Sequence, residues 1–251
     1  MISMTELALP LLYAIAGLLF LLEHIFPAHP LEIKWRWYAR AVIINAMVFG
    51  VYLGVEAVWE NYANSWSVFS LSELLSAPSA AFLAYFIFTF FAYWWHRLRH
   101  SSPLAWRIFH QLHHSPKRLQ TLTAYYIHPL DMLADLSMSN FIVFILLGLN
   151  LEAAALYILI TGVAGFLVHA NIRLPRWVGY VFQTPEMHRL HHKSEHHAQN
   201  YADIVWWDML FGTYCNPKKD IEQCGFSKEK EKKVIPMLLT QDLTTETIPG
   251  Q

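Results

Sequence analysis

Histidine occurs fourteen times in 251 residues, and eight of the fourteen fall into three tight clusters. His96-Arg-Leu-Arg-His100 is followed ten residues later by His110-Gln-Leu-His113-His114, and His188-Arg-Leu-His191-His192 comes much further on. On a helix, positions i, i+3 and i+4 share one face, so each cluster is expected to present its imidazoles in one direction and to turn Arg97, Arg99 and Arg189 elsewhere. A neutral imidazole suits zinc, copper, iron and nickel, so ligand type alone leaves the metal open. Number says more. A structural zinc uses four ligands, whereas eight or nine histidines suit two metal ions with positions left for water or oxygen. The ninth candidate is His169, which closes an apolar run. An ionisable side chain at such depth reads as functional, the alternative being an interfacial histidine satisfied by hydrogen bonds. His128, His196 and His197 read as outer or loop residues, and His24 and His29 as interfacial. Ser102-Pro103 and Thr184-Pro185 supply an N-cap and a first-turn proline before the second and third clusters, and Ser115-Pro116 ends the second.

The chain that must position these groups is apolar: 55% hydrophobic, 15% aromatic and 15% charged. With 18 basic and 19 acidic residues the net charge is −1, which offers no basic field for a nucleic acid. Charge-free or nearly charge-free runs at Leu7–Leu22, Ala41–Val55, Leu74–His96, Leu136–Leu151 and Ala153–Ile172 predict about five transmembrane helices. The first, lacking a basic flank and a cleavage site, reads as an anchor. Placing the amino terminus outside the cytoplasm leaves Met1–Glu6, Glu60–Glu73 and the turn Gly148–Glu152 on the far side, none with a lysine or arginine. All 18 basic residues then lie on the other side, which the distribution of positive charge identifies as cytoplasmic. A re-entrant hairpin for the last two runs would keep the same sidedness. Leu31–Arg40 and Leu174–Phe182 read as interfacial segments, and Lys228–Lys233 as a solvated run in a polar tail. The expected fold is an all-α integral membrane protein with a cytoplasmic helical cap carrying the histidine clusters. Cys215 and Cys224 match no metal or redox spacing and read as ordinary thiols.

Taken together, the HxxxH, HxxHH and HxxHH series, followed by Asn200-Tyr201-Ala202 and by Trp207-Asp208-Met-Leu-Phe211-Gly212-Thr213, resembles the fatty acid hydroxylase (sterol desaturase) superfamily. The resemblance covers roughly Phe82 to Tyr214, which divides the chain into amino-terminal membrane helices (1–81), a hydroxylase-like domain (82–214) and a polar tail (215–251). It implies an integral-membrane oxygenase with a dinuclear centre, usually iron, that uses O2 to hydroxylate or desaturate a fatty acyl, sterol or related lipid. The ligands it implies are His96, His100, His110, His113, His114, His188, His191 and His192, and His169 matches a further position often histidine in relatives resembling alkylglycerol monooxygenase. His128, Asn200 and Asp208 become candidates for orienting ligand imidazoles. Ala202 stands where many members have glycine, and Ser101 where ether-cleaving relatives usually have glutamate.

No flavin, nicotinamide or haem-attachment motif is visible, so a separate reductase, ferredoxin or cytochrome is the expected electron donor. Two other classes compete. A membrane zinc hydrolase would use Glu186 or Glu195 as general base, but HExxH is missing. A non-enzymatic metal-binding or transport protein would favour ligands at mid-bilayer over ligands gathered at one face.

Overall fold

A 22-residue apolar stretch has few conformations that leave no backbone group unpaired in lipid, and the helix is the first of them. The computed structural model describes residues 3–59, 61, 66–194, 196, 198–219, 221 and 223–244. In chain order, α1 is Met4–Ile25, opened by a Ser3–Glu6 capping box, α2 is Trp35–Trp59 and α3 is Ala77–Ser101. Helix α4 (residues 103–114) runs through Pro103–Ala105, a π-wound turn Trp106–His110, and Gln111–His114. Then come α5 (Pro129–Leu146), α6 (Leu151–His169), α7 (Pro185–His191) and α8 (Trp206–Leu210). Helices α1, α2, α3, α5 and α6 are long and apolar enough to cross a membrane. Among the described residues no strand forms, only the isolated bridges Phe182–Ile204 and Lys193–Cys224. This is an all-α membrane protein.

Small residues set the helix spacing. Lipid tails are as apolar as leucine, so membrane helices gain from close backbone approach more than from hydrophobic transfer. Ala80, Ala81 and Ala84 of α3 are fully buried in one cluster with Ala153 and Ala154 of α6. Helix α1 lies along the same α6, and at Gly162 any Cβ would collide with Leu12. Helix α2 lies along α5.

The structure shifts several expected boundaries. The fourth span begins at Pro129, not Leu136, because Asp131 and Asp135, whose charges excluded this stretch from a span, meet Arg99 of α3 at 2.6 and 3.4 Å. It ends at Leu146. Gly148, at φ 64°, and the N-cap Asn150 make the turn, so Glu152 stands in the first turn of α6, where the helix dipole favours an acid. From Trp35 onward the Leu31–Arg40 segment is simply the start of α2. Trp37 is buried there between the Arg118 guanidinium, 4.9 Å from its ring, and Tyr126. The tail returns to the bundle: Met237 is fully buried beside Trp37 and Leu112, and Gln111 Nε2 donates to the Gln241 carbonyl at 2.7 Å.

Glu23 fastens this end together. Its buried carboxylate accepts from Thr121 N and Oγ1 (2.8 and 2.9 Å) and from Asn171 N (3.0 Å), joining the end of α1 to the loop before α5 and the loop after α6. Contacts 98 and 148 residues apart thereby fix where α6 delivers its last residue.

Candidate metal centre

Four helices end at one place. The last turns of α3 bring His96 and His100, one turn apart. Helix α4, capped by Ser102 Oγ on Ala105 N, brings His110, His113 and His114. Helix α6 ends on His169, and α7, capped by Thr184 Oγ1 on Met187 N, brings His188, His191 and His192. The nine imidazoles form two groups: His96, His100, His110, His114 and His191 in one, and His113, His169, His188 and His192 in the other. Within each group the candidate ligand nitrogens lie within 4.8 Å of one another. Each HxxHH motif is therefore divided. His110 and His114 go to the first group and His113 to the second, while His188 and His192 go to the second and His191 to the first. An i, i+4 pair follows one ridge of the helix, and the i+3 residue leans to the other side.

The hydrogen bonds show that these rings suit a cation. His96 Nδ1 donates to the Tyr201 carbonyl (2.8 Å), His169 Nδ1 to the Gly165 carbonyl (2.7 Å) and His191 Nδ1 to the Gln199 carbonyl (2.7 Å). A carbonyl only accepts, so in a neutral ring the proton is on Nδ1 and Nε2 is a bare lone pair. His96 Nε2 and His110 Nε2 are buried with no hydrogen-bond partner. In the second group His169 Nε2 meets His113 Nε2 at 3.2 Å and His188 Nε2 at 2.9 Å, and His188 Nε2 also meets His192 Nε2 at 3.0 Å. One lone pair on His169 cannot accept both neighbours, so protons alone cannot satisfy this set. A metal ion can. Burial first, and neighbouring imidazoles or Arg99 after it, hold His110, His113, His114, His188 and His192 well below the ordinary histidine range, which keeps them neutral and able to ligate.

A second layer holds the rings. Arg99, expected to turn away from the histidines, does so into a buried ion pair with Asp131, whose other oxygen faces His110 Nδ1 at 3.5 Å. This layer has no sequence signature, since its members are 32 residues apart. The hydrogen bonds of Asn200 and Asp208 go to groups other than the imidazoles. Asp208 accepts from Tyr201 N, Ala202 N and Thr213 Oγ1 (2.8, 2.9 and 2.7 Å), and so fixes the loop whose Tyr201 carbonyl orients His96. Asn200, at φ 57°, donates to the Met187 and Cys215 carbonyls and ties that loop to α7. His128 stands outside both groups. Its Nδ1 accepts from Leu130 N at the start of α5, and its Nε2 donates to the Leu238 carbonyl. His24, His29 and His196 also lie outside the groups, and Glu186 accepts from Leu174 N. Glu195 and His197 are outside the described residues.

Beside the histidines is a cavity of about 1160 Å³ between α1, α2, α5 and α6, reaching His96, His110, His113, His169 and His188. Its walls are mostly hydrocarbon and aromatic, and several of its polar groups are satisfied within the wall. Asn45 donates to the Ala41 and Leu122 carbonyls, Asn140 to Glu56, and Ser139 pairs with Tyr157. Asp203 also lines it, and burial together with the nearby Asp208 pushes that carboxyl up to about 6.

Residues 81–213 match the fatty acid hydroxylase family model. The chain is 33% identical over 128 residues to the ornithine lipid hydroxylase OlsE of Rhizobium tropici, covering 49% of this chain and 38% of that protein. It is 24% identical over 158 residues to the sphingolipid C4-hydroxylase sur2 of Schizosaccharomyces pombe, covering 61% and 54%. To human alkylglycerol monooxygenase it is 28% identical over 165 residues, covering 62% and 34%. The chain thus spans between about a third and about a half of the length of these relatives. No solved structure gives a significant match.

Proposed function

The chain belongs to the fatty acid hydroxylase family, and from that premise we propose that it is a membrane lipid hydroxylase in which nine of the fourteen histidines hold two iron ions. The reading rests on one observation: two groups of imidazoles, eight of the nine buried, border an apolar cavity large enough for a hydrocarbon chain. All three relatives named above are hydroxylases or monooxygenases of lipids, which favours hydroxylation over desaturation and a polar membrane lipid as substrate. The net reaction converts C–H, O2, two electrons and two protons into C–OH and water, the electrons coming from a separate donor protein. Two reducible metal ions would supply the activation of O2 that attack on an unactivated methylene requires.

The remaining work falls to the chain itself. The Tyr201, Gly165 and Gln199 carbonyls fix the tautomer and tilt of His96, His169 and His191, so each Nε2 is aimed before any ion binds. Asp131, held by Arg99, places negative charge behind His110 and strengthens it as a donor to metal. The hydrocarbon walls hold a chain beside the histidines and exclude bulk water. The segregation of all 18 basic residues to the histidine end supports a cytoplasmic location for the centre and the carboxy terminus.

Elemental analysis of the detergent-purified protein, paired with a lipid oxidation assay, tests the reading. Two irons per chain and hydroxylated lipid formed only with O2 and a reductant are the expected results. Zinc with lipid hydrolysis, or metal flux into vesicles without oxidation, would overturn it.

A further inference from the structure

The mouth of the cavity is marked by which of its lining residues are exposed. Tyr13, Ile33, Trp35, Val42 and Phe49 are exposed, and every exposed lining residue lies on α1, on α2 or on the segment joining them. Lining residues contributed by α3, α4, α5, α6 and α7 are all buried or half-buried. The cavity therefore opens sideways, between the first two helices, and not toward the cap.

Those two helices are neighbours in sequence but barely approach each other, since α1 lies along α6 and α2 along α5. Side chains bridge the gap at two levels. The Tyr13 and Phe49 rings meet edge-on with centroids 5.8 Å apart. Nearer the histidine end, His24 Nδ1 donates to the Phe20 carbonyl at 2.7 Å, so its Nε2 accepts from Tyr38 Oη at 3.0 Å. Between the bridges lie Gly17 and Ala46, and a Cβ added at Gly17 would meet nothing within 4 Å.

We infer that the hydrocarbon chain of a membrane lipid reaches the histidines sideways through the slot between α1 and α2, with the Tyr13–Phe49 and His24–Tyr38 contacts as its two gateposts. The occupant follows from where the slot lies. It faces the hydrocarbon zone of two membrane-length helices, where a water-soluble ligand would have to shed its hydration. Inside, Asn45, Asn140 and Ser139 are already paired with the wall, so the space rewards methylene groups. Trp35, Tyr38 and His24 stand at the histidine end of the slot, the amphipathic belt at which a polar headgroup stays while its chain passes below. The inference rests on the reading that the substrate is a lipid.

The test uses the full chain in phosphatidylcholine vesicles containing a phosphatidylcholine with a diazirine in one acyl chain. After photolysis, labelled residues are mapped by mass spectrometry in the unaltered protein and in Gly17→Trp, Ala46→Trp and Leu18→Trp. Leu18 is exposed on α1 but does not line the cavity. The unaltered protein and Leu18→Trp should be labelled at interior residues such as Tyr125 and Phe166. Gly17→Trp and Ala46→Trp should lose that interior labelling while keeping the metal content of the unaltered protein and the labelling of lipid-facing Phe91. Interior labelling that persists in both slot variants would overturn the route and leave the hydroxylase reading standing. An interior unlabelled even in the unaltered protein, as if another helix filled the slot, would overturn route and lipid reading together.

Discussion

His114 and His192 lie ring over ring, with centroids 4.1 Å apart and planes within 9°, and each belongs to a different group of histidines. The stack is the seam between the two groups. It forms because α4 and α7 carry the same HxxHH spacing, so each offers an i, i+4 pair to one group and a single i+3 ring to the other. Neither helix can shift without disturbing both groups, yet each group keeps its own ligands.

That division gives the first expectation. His188→Ala removes a ligand from the group of four, and His100→Ala removes one from the group of five. Each variant should lose about one of the two metal ions and retain the other, because imidazoles of the undisturbed group remain in place. Metal per chain, measured by inductively coupled plasma mass spectrometry, decides it. Loss of both ions from either variant would mean that the groups load as a unit, and full loading of both would refute the ligand assignment.

The second expectation concerns Asp131. Its carboxylate lies between the Arg99 guanidinium, at 2.6 Å, and His110 Nδ1, at 3.5 Å, with no exposure to solvent. Asp131→Asn keeps the shape but removes the charge behind His110, and outer partners of this kind are worth about 10–100-fold in metal affinity. Competition with a chelator should show that loss in the group of five, with the group of four unchanged. Leaving Arg99 with only the more distant Asp135 carboxylate, at 3.4 Å, should also lower the unfolding temperature, by less than the roughly 3–5 kcal/mol that a fully unpaired buried charge costs.

Much of this site was legible in the sequence, and the part that was not has a common cause. The i, i+3, i+4 histidines and the charge-free runs are local patterns, fixed by 3.6 residues per turn and by membrane thickness. The partition of each motif depends on where the neighbouring helix stands, which spacing does not encode. Helix periodicity turns Arg99 away from the histidine face but names no partner for it, because only the packing of α3 against the start of α5 brings Asp131 to it. Likewise Glu23 follows the first charge-free run, and only the fold brings Thr121 and Asn171 to it. Nor does spacing show that Asn200 and Asp208 hydrogen-bond backbone: Asp208 holds the loop whose Tyr201 carbonyl accepts from His96, and Asn200 ties that loop to Met187 of α7.

Sidedness gives a third expectation. With every basic residue toward the histidine end, the loop before α3 should face away from the cytoplasm. Ser70 and Lys233 are exposed at opposite ends of the fold. In a Cys215→Ser background, Ser70→Cys in intact cells should react with an impermeant maleimide, and Lys233→Cys should react only after permeabilisation. The reverse pattern would invert the topology and place the centre outside the cytoplasm.

Acid gives a fourth. Burial holds His110, His113, His114, His188 and His192 below the ordinary histidine range, so the native state keeps them neutral while the unfolded chain takes up protons near pH ~6.5. The folded pKa values are depressed, so the unfolded state binds more protons as the solution is acidified. The stability these residues permit is thus present above about pH 6.5 and is lost as pH falls below it. The metal-stripped protein should show a falling unfolding temperature from about pH 7 to about pH 5, and the loaded protein should release metal over the same window as protons compete for the rings. An unfolding temperature flat across that range would mean that the rings are not neutral and buried as described.

The last expectation isolates His169. It comes from a different helix than the other three rings of its group and has no histidine partner one turn away. Its Nδ1–H is committed to the Gly165 carbonyl, which leaves a lone pair on Nε2 between His113 and His188. His169→Gln can keep a hydrogen bond to that carbonyl, but its amide is a poor metal ligand beside an imidazole. If the ring were only an interfacial histidine, glutamine would satisfy the same neighbours and metal content would not change. As a ligand, its replacement by either glutamine or alanine should weaken one ion, by at least the 10–100-fold that loss of an outer partner alone would cause, and should leave the group of five loaded. Stepwise chelator titration separates the two ions. Two tightly held metals in both variants, with undiminished lipid oxidation, would show that eight histidines suffice and that the ring at the end of α6 serves only to close the fold.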